Sequence, residues 1–96
     1  MSSKNGSPKL LVELKDLEKG EFTIQVGAFK DKENAFRLAD RLKVLYKYIN
    51  IARYVDKDNR AFFRVHVSKS KTLTQAGKIE KKLEDMGLTE AFIVRI

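Results

Sequence analysis

From Glu21 onward the chain alternates. Phe22, Ile24 and Val26 are apolar while Thr23 and Gln25 are polar, the period of a strand with one buried face. Gly27 ends the alternation and marks a bulge or a close backbone approach. The spacing then lengthens, and Ala35, Leu38, Leu42 and Leu45 line one face of a helix that Asp31 can cap. Ile49 to Val55 is rich in β-branched and aromatic residues and predicts a second strand. Asp56-Lys-Asp-Asn-Arg60 supplies turn chemistry. Ala61 to Val67 alternates again, with Phe63, Val65 and Val67 pointing inward. Thr72 and Gln75 have the spacing of a capping box. Behind them, Leu73, Ala76, Ile79, Leu83 and Met86 form the apolar face of a second helix, which Gly87 and Leu88 can close. Ala91 to Ile96 reads as a last strand.

The order β-α-β-β-α-β contains a repeat. Slid along the chain until Phe22 falls on Phe63, Ile24 falls on Val65 and Val26 on Val67. The same shift carries Ala35, Leu38, Leu42 and Leu45 onto Ala76, Ile79, Leu83 and Met86. One strand-helix unit is used twice, which is too few for a solenoid but suits a pseudo-twofold split βαβ fold. Both helices must cover the sheet face that carries the inward residues. The expected fold class is therefore α+β: a ferredoxin-like, four-stranded antiparallel sheet with two helices on one face. Residues 21–96 form this domain. Residues 1–20 read as a flexible tail or linker, in which Leu10, Leu11, Leu14 and Leu17 make a short helix candidate. Met1 to Pro8 has no signal-peptide pattern.

Composition narrows the chemistry. A chain of 96 residues with 43% hydrophobic and 34% charged residues suits one small core. Without cysteine there are no disulfides, thiolate zinc sites or thiol nucleophiles. No apolar run approaches the roughly 20 residues of a membrane helix, so membrane insertion is not expected. The net charge of +7 favours a polyanionic or acidic partner, with solubility as its other use.

The uncovered sheet face is where candidate chemistry collects. Alternation assigns it Thr23 and Gln25 from the first strand, Phe62, Arg64 and His66 from the third, and Arg95 from the last. The first and third strands are the central pair of such a sheet, so these groups lie at its middle. His66 has no cysteine or carboxylate beside it, which makes a poor metal site, and no nucleophile to serve. Phosphate-loop, zincin, nucleophile-elbow and dinucleotide patterns are absent. The reading is a non-catalytic binding face without metal or cofactor.

Phe22-Thr-Ile-Gln-Val-Gly-Ala-Phe29 followed by Asn34-Ala35, Leu38 and Leu42 resembles the SPOR (sporulation-related repeat) domain. That family opens with a strand ending Gln-[Val/Leu]-Gly-[Ser/Ala]-Phe and continues with an Asn-Ala-x-x-Leu-x-x-x-Leu helix. Phe63-Arg-Val-His-Val67, Leu83-Glu-Asp-Met-Gly87 and Ala91-Phe-Ile-Val94 follow the second half, so the resemblance covers about residues 21–96. It implies a bacterial envelope or periplasmic module that binds peptidoglycan glycan strands, above all strands stripped of stem peptides at division septa; the domain is expected to be monomeric. It also implies ligand contacts at Gln25, Ala28, Phe62 and Arg64, and strand alternation adds His66 and Thr23 at the margin of that cluster. Ser68-Lys-Ser70 stands where the family usually has Gly-Pro-[Phe/Tyr], so the chain after the third strand is expected to differ. Two other readings share the layout. An RRM-like single-stranded RNA binder would use the same β-α-β-β-α-β order, although Thr23 and Gln25 occupy places where it needs an aromatic. A protein-docking or dimerisation sheet is the other.

Overall fold

The computed structural model describes residues 17–96. They form β1 (Lys19–Phe29), α1 (Lys32–Leu42), β2 (Ile49–Val55), β3 (Ala61–Thr72), α2 (Leu73–Asp85) and β4 (Phe92–Arg95). The strands make one antiparallel sheet in the order β2-β3-β1-β4, so β1 and β3 are central as expected. Phe22, Ile24, Val26, Val65 and Val67 from the sheet pack with Ala35, Leu38 and Leu42 of α1 and Ala76 and Leu83 of α2 in a single core. Val65 is fully buried, which fixes the register of β3. The helix candidate built on Leu10, Leu11 and Leu14 lies outside the described residues.

Both helices start where the sequence places caps. The Asp31 carboxylate accepts the Glu33 N–H at 2.9 Å, and Thr72 Oγ1 accepts the Gln75 N–H at 3.1 Å. Glu18 adds to the second cap. Its carbonyl accepts the Leu73 N–H at 2.7 Å and its carboxylate the Thr74 N–H at 3.0 Å. The first three N–H groups of α2, which no helical carbonyl can reach, are all satisfied. Hydrogen bonding by Thr74, side chain first and backbone second, holds the Glu18 carboxyl below its usual range.

The helices end earlier than their apolar stripes. At the end of α1, the Leu45 and Tyr46 N–H groups both turn back onto the Leu42 carbonyl. Tyr46 thereby packs on the core and Leu45 is left exposed. At the end of α2, Gly87 takes a φ of 99° and donates to the Glu84 carbonyl, while Leu88 donates to that of Leu83. This is a Schellman closure, and it brings Leu88 rather than Met86 onto the core. Leu73, at the other end of that stripe, is also exposed.

The sequence repeat is a spatial pseudo-twofold. Gln25 and His66, 41 positions apart, are images of one another and face each other directly across β1 and β3. The local axis passes between them. Ala35 and Ala76 are equally buried at 0%, as are Leu42 and Leu83 at 1% and 0%.

Two of the three register shifts between β1 and β3 set what each face shows. Gln25 pairs with His66 but Gly27 with Val65, so Val26 is an extra residue in β1. Gly27 therefore turns toward the helices, and Ala28 takes the place on the open side. In β3, Ser68 and Lys69 stand opposite Thr23 alone, because Phe22 pairs with Ser70 and Ile24 with Val67. Ser68 has a φ of 69°, and the strand continues through it to Thr72 instead of turning.

Candidate ligand-binding face

Register and alternation give the uncovered face in rows. Phe92, Gln25, His66 and Asn50 form one, Ala28, Arg64 and Ala52 a second, and Phe62 with Tyr54 a third. Of the residues singled out in the sequence, Gln25, Phe62, Arg64 and His66 are partly exposed here and Ala28 is exposed. These five do come together.

Thr23 does not join them. It is only 2% exposed, and its hydroxyl donates to the Val67 carbonyl at 3.1 Å. Lying opposite the Ser68-Lys69 bulge, it serves the β1–β3 seam and has no hydroxyl proton left for a ligand. Arg95 is also displaced from the expected place. It pairs with Phe22, lies 4.7 Å from that ring, and donates to the carbonyls of Lys19 at 3.3 Å and Leu17 at 3.0 Å. The parity of β4 instead presents Phe92 and Val94 on the open face.

Sequence reasoning missed Tyr54 and Phe92, both well exposed. The signal for Tyr54 was present: Ile49 and Ile51 pack on the core, so Asn50, Ala52 and Tyr54 must face away. The guanidinium carbon of Arg64 lies 3.9 Å from the centroid of the Tyr54 ring. That stacking holds the cation flat and restrains its rotamers while leaving the edge of its N–H fork free for an anion.

At the pseudo-twofold axis, His66 Nε2 and Gln25 Oε1 are 3.1 Å apart. With the ring N–H donating to the amide oxygen, the Gln25 amide is oriented so that its NH₂ is available to a ligand. Burial first, and the Arg64 charge second, lower the His66 pKa below its ordinary 6.5, so the imidazole is neutral at pH 7. The charge of this cluster at neutral pH is thus the charge of Arg64. A hollow of about 420 Å³ between Leu45, Tyr46, Ile79 and Met86 lies on the helical side, away from these groups.

The family model of the SPOR domain matches residues 18–95. Among solved structures, the chain is similar to the solution structure of the peptidoglycan binding domain of the B. subtilis cell wall lytic enzyme CwlC. The two share 20% sequence identity and a TM-score of 0.56, over 88% of this chain and 96% of that one. At that identity the likeness speaks for the fold. No curated protein matches the sequence.

Proposed function

The chain belongs to the SPOR-domain family, and from that premise we propose that its open sheet face binds peptidoglycan in the bacterial cell envelope, as a non-catalytic module. The ligand in this reading is the glycan strand, bound best where stem peptides have been removed, as at division septa. One observation carries it: Arg64, stacked on Tyr54, stands next to the Gln25–His66 pair among exposed aromatic rings. A peptide-free muramic acid bears a lactyl carboxylate, whose two oxygens accept a bidentate pair of N–H bonds from a guanidinium edge. A stem peptide converts that carboxylate to an amide and removes the charge. Phe62, Tyr54 and Phe92 offer ring faces to the C–H faces of pyranoses, and the Gln25 amide bonds acetamido and hydroxyl groups.

Co-sedimentation with intact and amidase-treated sacculi tests the reading, with single-stranded RNA as competitor. Amidase treatment should increase binding, and RNA at physiological salt should leave it unchanged. Arg64→Ala should cost roughly 1.5–3 kcal/mol of binding and Gln25→Ala about 1 kcal/mol. The Arg64 effect should shrink as salt rises. Parent-like binding by both variants, or displacement by RNA, would overturn the assignment.

A further inference from the structure

β4 covers only part of β1. Their pairing stops at Gln25 with Phe92, so from Val26 to Phe29 the strand is hydrogen-bonded on its β3 side alone. Backbone N–H and C=O groups of an antiparallel strand point alternately to its two sides, so some of those in this stretch face outward. Among the described residues, no backbone fills the gap. The N–H groups of Gly87, Leu88 and Ala91 in the facing loop bond back to Glu84, Leu83 and Leu88. What remains is a cleft of about 250 Å³ lined by Val26–Phe29 and by Gly87–Glu90. It is continuous with the open face through Ala28, the cross-strand partner of Arg64.

The two ends of this path differ in charge. Arg64 is a cation. Glu90, in the cleft wall, has no ion-pair partner among the described residues and is exposed. The cleft lies two strand spacings from Arg64, about 10 Å. A carboxylate is drawn to the first position and repelled from the second, whereas hydroxyl groups suit the second, where Glu90 accepts them and Thr89 and the free strand edge both donate and accept.

We infer that this cleft is a second sugar subsite, taking the uncharged N-acetylglucosamine that neighbours a muramic acid held at Arg64. This rests on the glycan reading above. The glycan alternates a sugar with a carboxylate and a sugar without one, and the face alternates Arg64 with Glu90. The match fixes the register of the strand: a slip by one sugar places the lactyl carboxylate against Glu90 and the neutral sugar on Arg64.

Titration of the isotope-labelled protein with a stem-peptide-free glycan tetrasaccharide, followed by amide NMR shifts, tests the subsite. Amides of Val26–Phe29 and Gly87–Glu90 should shift together with those around Gln25 and Arg64, at one midpoint. Glu90→Ala should weaken tetrasaccharide binding about fivefold, the size of one lost hydrogen bond, with an unchanged melting temperature. Chitotetraose, which has no carboxylate, should still shift the cleft amides, but its binding should not depend on salt. Shifts around Gln25 and Arg64 with a silent cleft, or parent-like affinity of Glu90→Ala, would overturn the subsite while leaving the glycan reading intact. A tetrasaccharide that shifts nothing would overturn both.

Discussion

Gly27 shows how narrowly a single position can be constrained. A Cβ built there would stand 2.8 Å from Cε2 of the Phe29 ring and 3.2 Å from Cδ2 of Leu38. The Val26 bulge has turned this residue toward α1, and only a hydrogen atom fits beneath the helix. Gly27→Ala should destabilise the fold by roughly 1–3 kcal/mol in a urea titration, the ordinary penalty of overpacking. Gly77 is the control, because a Cβ there meets nothing within 4 Å and alanine suits a helix interior better. The glycine was legible as a bulge or a close approach, and it is both. Thr23 was not legible. Its alternation with Gln25 is plain, but nothing in sequence announces that a bulge on another strand will bring the Val67 carbonyl within reach of its hydroxyl.

That second bulge belongs to the scale of the element. Ser68 holds a left-handed backbone in the interior of β3, at the place where the family pattern has glycine, and its N–H donates to the Tyr48 carbonyl at 2.9 Å. A side-chain-bearing residue loses roughly 1–2 kcal/mol in that conformation, and glycine returns about 0.4–1 kcal/mol of this through its freer unfolded chain. Ser68→Gly should therefore melt at or slightly above the parent temperature, while β-branched Ser68→Val should melt clearly below it. Equal melting of all three would mean that the bulge is not under strain. Element boundaries follow the same logic. β2 coincides with its predicted span because tight turns flank it, whereas β3 outruns its alternation because the bulge passes register to Ser70 and Thr72. Leu45 and Met86 kept helical spacing in sequence but fell beyond the closing turns.

At the scale of the whole molecule, two groups make stability depend on pH in separate windows. The folded pKa of His66 is lowered, so the unfolded chain binds the proton more readily. Stability is complete above the unfolded value of about 6.5 and declines as pH falls from there to the folded value. The Glu18 pKa is lowered as well, but for a carboxyl this means stability held above about 4.5 and lost as pH falls through the folded value. Chemical denaturation between pH 7.5 and 5 should show the first loss, and His66→Gln should flatten it while leaving the more acidic one in place. An identical slope in this variant would assign the upper window to another group. The architecture itself was readable because the repeat and both caps agreed with one topology. The role of residues 17–19 was not, since their partners at Leu73, Thr74 and Arg95 are remote in sequence.

The adjacency of residues 17–21 to Arg95 and Ile96 has a mechanical side. The Ile96 N–H bonds the Glu21 carbonyl at 2.8 Å, and β1 and β4 run antiparallel from that point. A pull applied at Leu17 and Ile96 would open this pair like a zipper, loading one rung at a time from Phe22–Arg95 toward Gln25–Phe92. A pull between Leu17 and a ligand gripped by Arg64 would instead run along β1 and slide it against β3, so that the rungs of the central seam share the load. The same sheet is compliant between Leu17 and Ile96 and stiff along the line from Leu17 to Arg64.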